Sequence, residues 1–139
     1  MGALDPAAPE HGEAERWLRD ELVVWLTTVR EDGQPQSVPV WFLWEDGAFL
    51  VYSQPGKPKL ANIASNAKVS LHLRGTETGA QIVTVEAEAV RSDDPPADRV
   101  PGYIDKYRGE IESSGWTPRS FAEDYSVPLR FTPTSVQVW

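Results

Sequence analysis

Between Val23 and Leu73 the apolar and polar positions fall into short runs cut by turn residues. Val23–Arg30 is β-branched and aromatic, which predicts a strand. Asp32-Gly33 follows it, the dipeptide that a tight hairpin favours. Gln36–Trp44 predicts a second strand, apolar on both faces from Val38 onward and therefore expected to be covered on both. Pro39 donates no ladder hydrogen bond, so that strand needs an edge, a bulge or a bend. Glu45-Asp46-Gly47 makes a second hairpin turn and leads into a third strand, Ala48–Gln54. A loop, Pro55-Gly56-Lys57-Pro58-Lys59, opens onto a short helix, Leu60–Ser65. Lys68–Arg74 then alternates, with Val69, Leu71 and Leu73 against Ser70, His72 and Arg74, as in a sheet with one covered face.

Outside this block the periods change. Met1–Pro9 carries Asp5-Pro6 and Ala8-Pro9 and no periodicity, and reads as a mobile arm. Residues 10–22 predict an N-terminal helix, because Ala14, Trp17, Leu18 and Leu22 make one stripe. Gln81–Ser92 alternates again, with Val83, Val85, Ala87 and Ala89 on one side. Tyr103–Ile111 reads as a helix, and Thr117–Glu123 as a short one with Pro118 near its first position. Val127–Thr132 and Ser135–Trp139 read as two strands separated by Pro133. The sum is a single mainly-β domain over 1–139: six to seven antiparallel strands in a small, half-open barrel with short helical additions.

Composition narrows the chemistry. The 139 residues include no cysteine, which removes disulfides, thiolate metal sites and thiol nucleophiles and accords with a cytoplasmic protein. His11 and His72 are the two histidines, too few for a histidine-rich metal centre. The longest apolar run, Val38–Trp44, is far short of the roughly 20 residues that span a bilayer. A net charge of -8 disfavours nucleic acid as a partner. It also means that any phosphate site must be a local cluster of bases.

Such a cluster exists. Lys57 and Lys59 are the charged side chains between Val51 and Asn66. Gly56 lets the backbone approach a ligand, and a helix start beyond it offers free N–H groups to an anion. A phosphate cradle and a solvated hairpin loop both fit these residues. Trp25, Trp41, Phe42, Trp44, Phe49 and Tyr52 could pack a core or wall a flat ring system. There is no GxSxG elbow, no GxGxxG and no Walker loop. Ser37 and Ser53 lie in plain strand sequence. If the protein is an enzyme, a bound cofactor carries the chemistry and the chain supplies binding and orientation.

The stretch WLTTVREDGQPQSVPVWFLWEDGAFLVYSQPGKPKLANIASNAKVSLHL, continued by DRVPGYIDKYRGEI, FAEDYSVPLRFTP and TSVQVW, resembles the FMN-binding split β-barrel superfamily related to pyridoxamine 5′-phosphate oxidase. It is most similar to an actinobacterial branch of coenzyme F-420 (deazaflavin)-dependent reductases. The resemblance implies a homodimer with cofactor grooves at the subunit interface and an oxidoreductase acting on a small, electron-poor molecule. It implies that Ser37, Val38, Pro39, Val40 and Trp41 run along the cofactor ring. Tyr52, Ser53, Gln54, Lys57 and Lys59, just before Leu60, would approach its phosphate, and Asn62 would orient the loop. Trp139 would reach the ring or pack the interface. The proton would come from solvent, Tyr52 or His72. FMN in place of F-420, or cofactor and small-molecule binding without turnover, are the alternatives.

Overall fold

A computed structural model describes Leu4 and residues 9–139. The arm expected over Met1–Pro9 therefore lies almost wholly outside the described residues; Leu4 packs on the core, and Pro9 already belongs to helix α1, Pro9–Asp20. Ala14 and Leu18 are fully buried by that helix. It stops at Asp20, so Leu22 leaves the expected stripe and stands exposed.

Seven strands form one antiparallel sheet that curls into a half-barrel: β1 Val24–Val29, β2 Pro35–Val40, β3 Leu43–Glu45, β4 Ala48–Ser53, β5 Lys68–His72, β6 Val83–Arg91 and β7 Val127–Val138. Their order is β2-β1-β5-β6-β7-β4-β3. The inward residues of β1, β5 and β6 alternate as their sequence predicts, burying Leu26, Val69, Leu71, Val83 and Val85. β4 is buried on both faces. Phe49 and Val51 enter the barrel core, while Leu50 and Tyr52 join a second cluster beneath helices α3 (Pro101–Ser113) and α4 (Pro118–Asp124).

Two strand expectations are corrected. Gln36–Trp44 is not one strand. It breaks after Val40, and its two parts lie at opposite ends of the sheet, β2 beside β1 and β3 beside β4. The bend falls at Trp41-Phe42, where α3 replaces the ladder. Tyr107 Oη accepts from Phe42 N–H at 2.8 Å and donates to Leu22 O at 2.6 Å. Lys106 Nζ donates to Phe42 O at 2.9 Å and lies 3.8 Å from the centre of the Phe42 ring. Pro39 sits on the edge strand β2, where a missing N–H costs nothing. That edge is open, with Val38 and Pro39 exposed, so the cover expected on both faces is absent in the single chain.

The second correction is β7, one strand rather than two. Ala87 pairs with Pro133 and Glu86 with Ser135, which leaves Thr134 as an extra residue. A β-bulge of this kind absorbs the proline without ending the strand. Thr134 Oγ1 caps the irregularity by donating to Glu86 O at 3.2 Å.

Candidate functional site

The loop after β4 turns at Gly56, whose φ of 75° is natural for a residue without Cβ. Helix α2 begins at Pro58, not at Leu60, and runs to Ser65. Proline suits the first helical position because it has no N–H to leave unsatisfied. Lys57 becomes the N-cap residue, making no side-chain cap, and Lys59 lies in the first turn rather than before it. No acidic residue occupies that turn. The helix is fixed from behind by buried Asn62, whose amide donates to Thr28 Oγ1 and Gln36 Oε1, both at 2.9 Å. That ties the lysine loop to β1 and β2.

Lys57 and Lys59 border a cavity of about 310 Å³. Pro39, Val40 and Trp41 line it from the end of β2, and Tyr52 and Gln54 from the end of β4. Its remaining walls are aromatic: Tyr103 of α3, and Trp116, Phe121 and Tyr125 in and around α4. Trp41 lies flat on Tyr107, with ring centres 4.5 Å apart and planes 3° from parallel. Phe121 stacks on Trp41 at 5.5 Å and on Tyr125 at 4.7 Å. Thr117 and Ser120 hold α4 in place through a reciprocal capping box. An adjoining hollow of about 240 Å³ shares both lysines and is lined by Ser37, Val38 and Asn62.

No carboxylate lines the larger cavity, although the chain carries a net charge of -8. Lys59 is half-buried, and its amine titrates below the usual lysine range, chiefly through burial and secondarily through repulsion by Lys57. An anion bound here would relieve both effects. Roomier depressions of about 540 and 590 Å³ mix acids with bases, Glu21 and Glu77 with Arg74 in one, Glu86 and Glu88 with Lys68 in the other. The aromatic cavity has the apolar walls with a few convergent polar groups that ligand sites favour.

The other candidate residues lie apart. Ser53 is buried, with its Oγ donating to Gln54 O at 2.8 Å, and Leu60 packs against the barrel core. His72 is on the exposed face of β5, its Nδ1 3.3 Å from Leu73 O, and does not line either hollow. Trp139 is 64% exposed and its N–H donates to Ile82 O at 2.9 Å, again away from the cavity of its own chain. Tyr52 is at the cavity, but its hydroxyl donates to Pro95 O, and burial with the nearby Asp94 charge holds its phenol protonated. Of the six aromatics singled out in the sequence, Phe42, Trp44 and Phe49 fill the barrel core, with Trp44 Nε1 donating to Glu15 at 2.9 Å. Only Trp41 and Tyr52 reach the cavity.

Four wall residues were not singled out from the sequence: Tyr103, Trp116, Phe121 and Tyr125. The signal was present in two aromatic pairs, Tyr103 with Tyr107 and Phe121 with Tyr125, each four apart and so on one helical face. Lys106 also has a perturbed amine, pushed down to about 8 by burial. Its Nζ is committed to Phe42, so it serves the strand crossover and not the cavity. Among the described residues no cluster could hold a metal ion, and no helix is long and apolar enough to cross a membrane.

The fold recurs in solved structures. An F-420 reductase is 23% identical, with a TM-score of 0.68 over 88% of this chain and 94% of that one. The conserved hypothetical protein Rv2991 from Mycobacterium tuberculosis is 21% identical, with a TM-score of 0.75 over 92% and 82%. A FAD-binding protein from Mesorhizobium loti is 19% identical, with a TM-score of 0.64 over 89% and 87%. No curated protein sequence matches the chain. At these identities the likeness shows the fold alone. Residues 11–139 match the family model described as pyridoxamine 5′-phosphate oxidase, and with nearly the whole chain covered, the protein belongs to that family.

Proposed function

We propose that the chain is an oxidoreductase that uses coenzyme F-420 to reduce an electron-poor small molecule. The observation that carries this reading is the aromatic cavity bordered by Lys57 and Lys59 with no carboxylate in its lining. Flat aromatic side chains in the wall suit a planar ring, and two lysines at a helix start suit its phosphate. Reduced F-420 would supply a hydride, chemistry that no side chain of the cavity can supply. Pro39, Val40 and Trp41 would lie along the ring, and Lys59, with Lys57 beside it, would hold the phosphate. Positioning of this kind can contribute roughly 7–11 kcal/mol to lowering a barrier without a catalytic side chain. With Tyr52 hydrogen-bonded to Pro95 and His72 off the cavity, solvent is the proton source that fits. A cytoplasmic location accords with the absence of cysteine.

Lys59→Ala is expected to weaken F-420 binding by about 1.5–3 kcal/mol, the scale of a charge-assisted hydrogen bond. Titration followed by tryptophan quenching measures it, since Trp41 and Trp116 line the cavity. An unchanged dissociation constant would remove the phosphate from Lys59. FMN is the second reading, favoured by the FAD-binding protein among the structural neighbours. A purified protein that is yellow and releases FMN on denaturation decides for it. A protein that binds F-420 yet oxidises its reduced form with no enone or quinone is a binding protein without turnover.

We also propose a homodimer, because the β2 edge leaves Val38 and Pro39 uncovered next to the site. Sedimentation equilibrium is then expected to give twice the 15.5 kDa chain mass. A concentration-independent monomer would sink this part of the reading.

A further inference from the structure

Two hollows meet at Lys57 and Lys59, and their linings are opposite in kind. The cavity of about 310 Å³ is walled by aromatic rings. The hollow of about 240 Å³ is lined, besides the lysines, by Thr28, Gln36, Ser37, Val38, Pro58 and Asn62. No aromatic ring and no carboxylate lines it.

The amides of this smaller hollow are set in one way. Asn62 Nδ2 commits both of its hydrogens inside the protein, one to Thr28 Oγ1 and one to Gln36 Oε1, each at 2.9 Å. Asn62 Oδ1 is left as an acceptor and Gln36 Nε2 as a donor, and among the described residues neither has a partner. Neither is sealed off, because neither belongs to the buried side-chain atoms that lack a partner. Gln36 is partly exposed, and Asn62, 5% exposed, lines the hollow beside it. One free donor and one free acceptor thus stand on side chains that a hydrogen bond holds together. They complement a group that itself carries an acceptor and a donor, as a secondary amide does.

A phosphate monoester held by the lysines ends between the two hollows and leaves the smaller one to water. A phosphodiester continues past the lysines. We propose that the smaller hollow takes an amide-bearing chain that continues beyond the cofactor's phosphate, with Gln36 Nε2 donating to its carbonyl and Asn62 Oδ1 accepting from its N–H. This rests on the cofactor reading above and adds to it a basis for selection. F-420 is a phosphodiester whose chain carries a glutamyl amide past the phosphate, whereas FMN is a monoester that stops there. Discrimination between them then operates away from the ring, since the monoester leaves both polar atoms unpaired by ligand.

The probes are F-420 and F-420 from which the glutamates have been removed, with binding followed by tryptophan quenching. The wild type is expected to bind the intact cofactor roughly threefold to thirtyfold more tightly, the scale of one or two neutral hydrogen bonds. In Gln36→Leu, affinity for intact F-420 is expected to fall roughly threefold to tenfold, with the stripped cofactor staying within about twofold of wild type. Gln36 also anchors Asn62, so a purely structural role would disturb the lysine loop and weaken both probes alike. Equal losses for the two probes therefore overturn the assignment. A preference that survives Gln36→Leu intact overturns it too, because tail charges on the lysines would then account for it. So does a wild type that binds the two probes equally, or that binds FMN and not F-420. Lys59→Ala keeps the two readings apart, since it is expected to weaken both probes by the same factor. If it does so while the wild type shows no preference, the hollow loses its role and the cofactor reading stands. If the wild type binds neither F-420 nor FMN, both fall.

Discussion

Arg130→Met is expected to destabilise the protein by about 1.5–3 kcal/mol, the scale of hydrogen bonds to charged groups, lost here from a part-buried ion pair. Arg130 Nε and its terminal amine donate to Asp94 at 2.9 and 2.7 Å, a two-pronged contact, and the same amine reaches Glu45 at 2.9 Å. The Arg130 and Asp94 side chains are 23% and 17% exposed, so water compensates for only part of the loss. Arg130 stands on β7, Glu45 on β3, and Asp94 in the loop that carries Pro95 to the Tyr52 hydroxyl. The substitution therefore loosens a wall of the cavity as well as the sheet. Arg130 holds the Asp94 carboxyl below its ordinary range, with burial opposing and Ser92 assisting. Because the folded value lies below the unfolded one, near 3.9, this stabilisation is complete above about pH 4. It disappears as pH falls through the folded value. Urea titrations should show the gap between wild type and variant closing on acidification across that window. A gap independent of pH would mean that Asp94 is not the partner that matters.

Tyr107→Phe is expected to cost about 2–4 kcal/mol by loss of one oxygen, without loss of ring area. Phe42 is 0% exposed, and its N–H has Tyr107 Oη as its recorded partner across the bend. Deleting that oxygen strands a buried amide, and Leu22 O loses its donor too. The urea midpoint should fall with an unchanged slope if the native fold persists. A cost under about 0.5 kcal/mol would show that Lys106 and ring stacking hold the crossover alone. The same change at Tyr103 carries the opposite expected sign, since Tyr103 Oη is buried without a hydrogen-bond partner. Two tyrosines one helical turn apart thus separate a hydroxyl that the fold needs from one that it tolerates.

The hairpins were legible in the sequence because Asp32-Gly33 and Asp46-Gly47 announce their turns and β5 and β6 alternate cleanly. The break at Trp41-Phe42 was not, because the apolar run Val38–Trp44 contains no turn residue and reads as continuous strand. Only tertiary partners, Tyr107 and Lys106, make a bend there affordable. Pro133 misled in the other direction, since a bulge against Glu86 and Ala87 is invisible until the partner strand is known. Lys57 and Lys59 stood out because they are the charged side chains between Val51 and Asn66 in a chain that is otherwise acidic, and both border the cavity. The walls from α3 and α4 could not be assigned, because helical spacing shows that Tyr103 and Tyr107 face inward but not what they face.

The strand order has a consequence for when this cavity comes into being. β7 is the one strand that joins β3 and β4 to the other four, and it pairs with β4 across some 80 positions of sequence, as in Val51 with Leu129. Hairpins such as β1–β2 and β3–β4 can close locally and early, whereas that long closure carries its entropy before any contact rewards it. Val40 belongs to one side of the joint and Tyr52 to the other, so no partly folded chain without β7 in place owns the cavity they share. A ligand bound there cannot template folding. It acts afterwards, slowing the escape from the native state while leaving the rate of arrival unchanged.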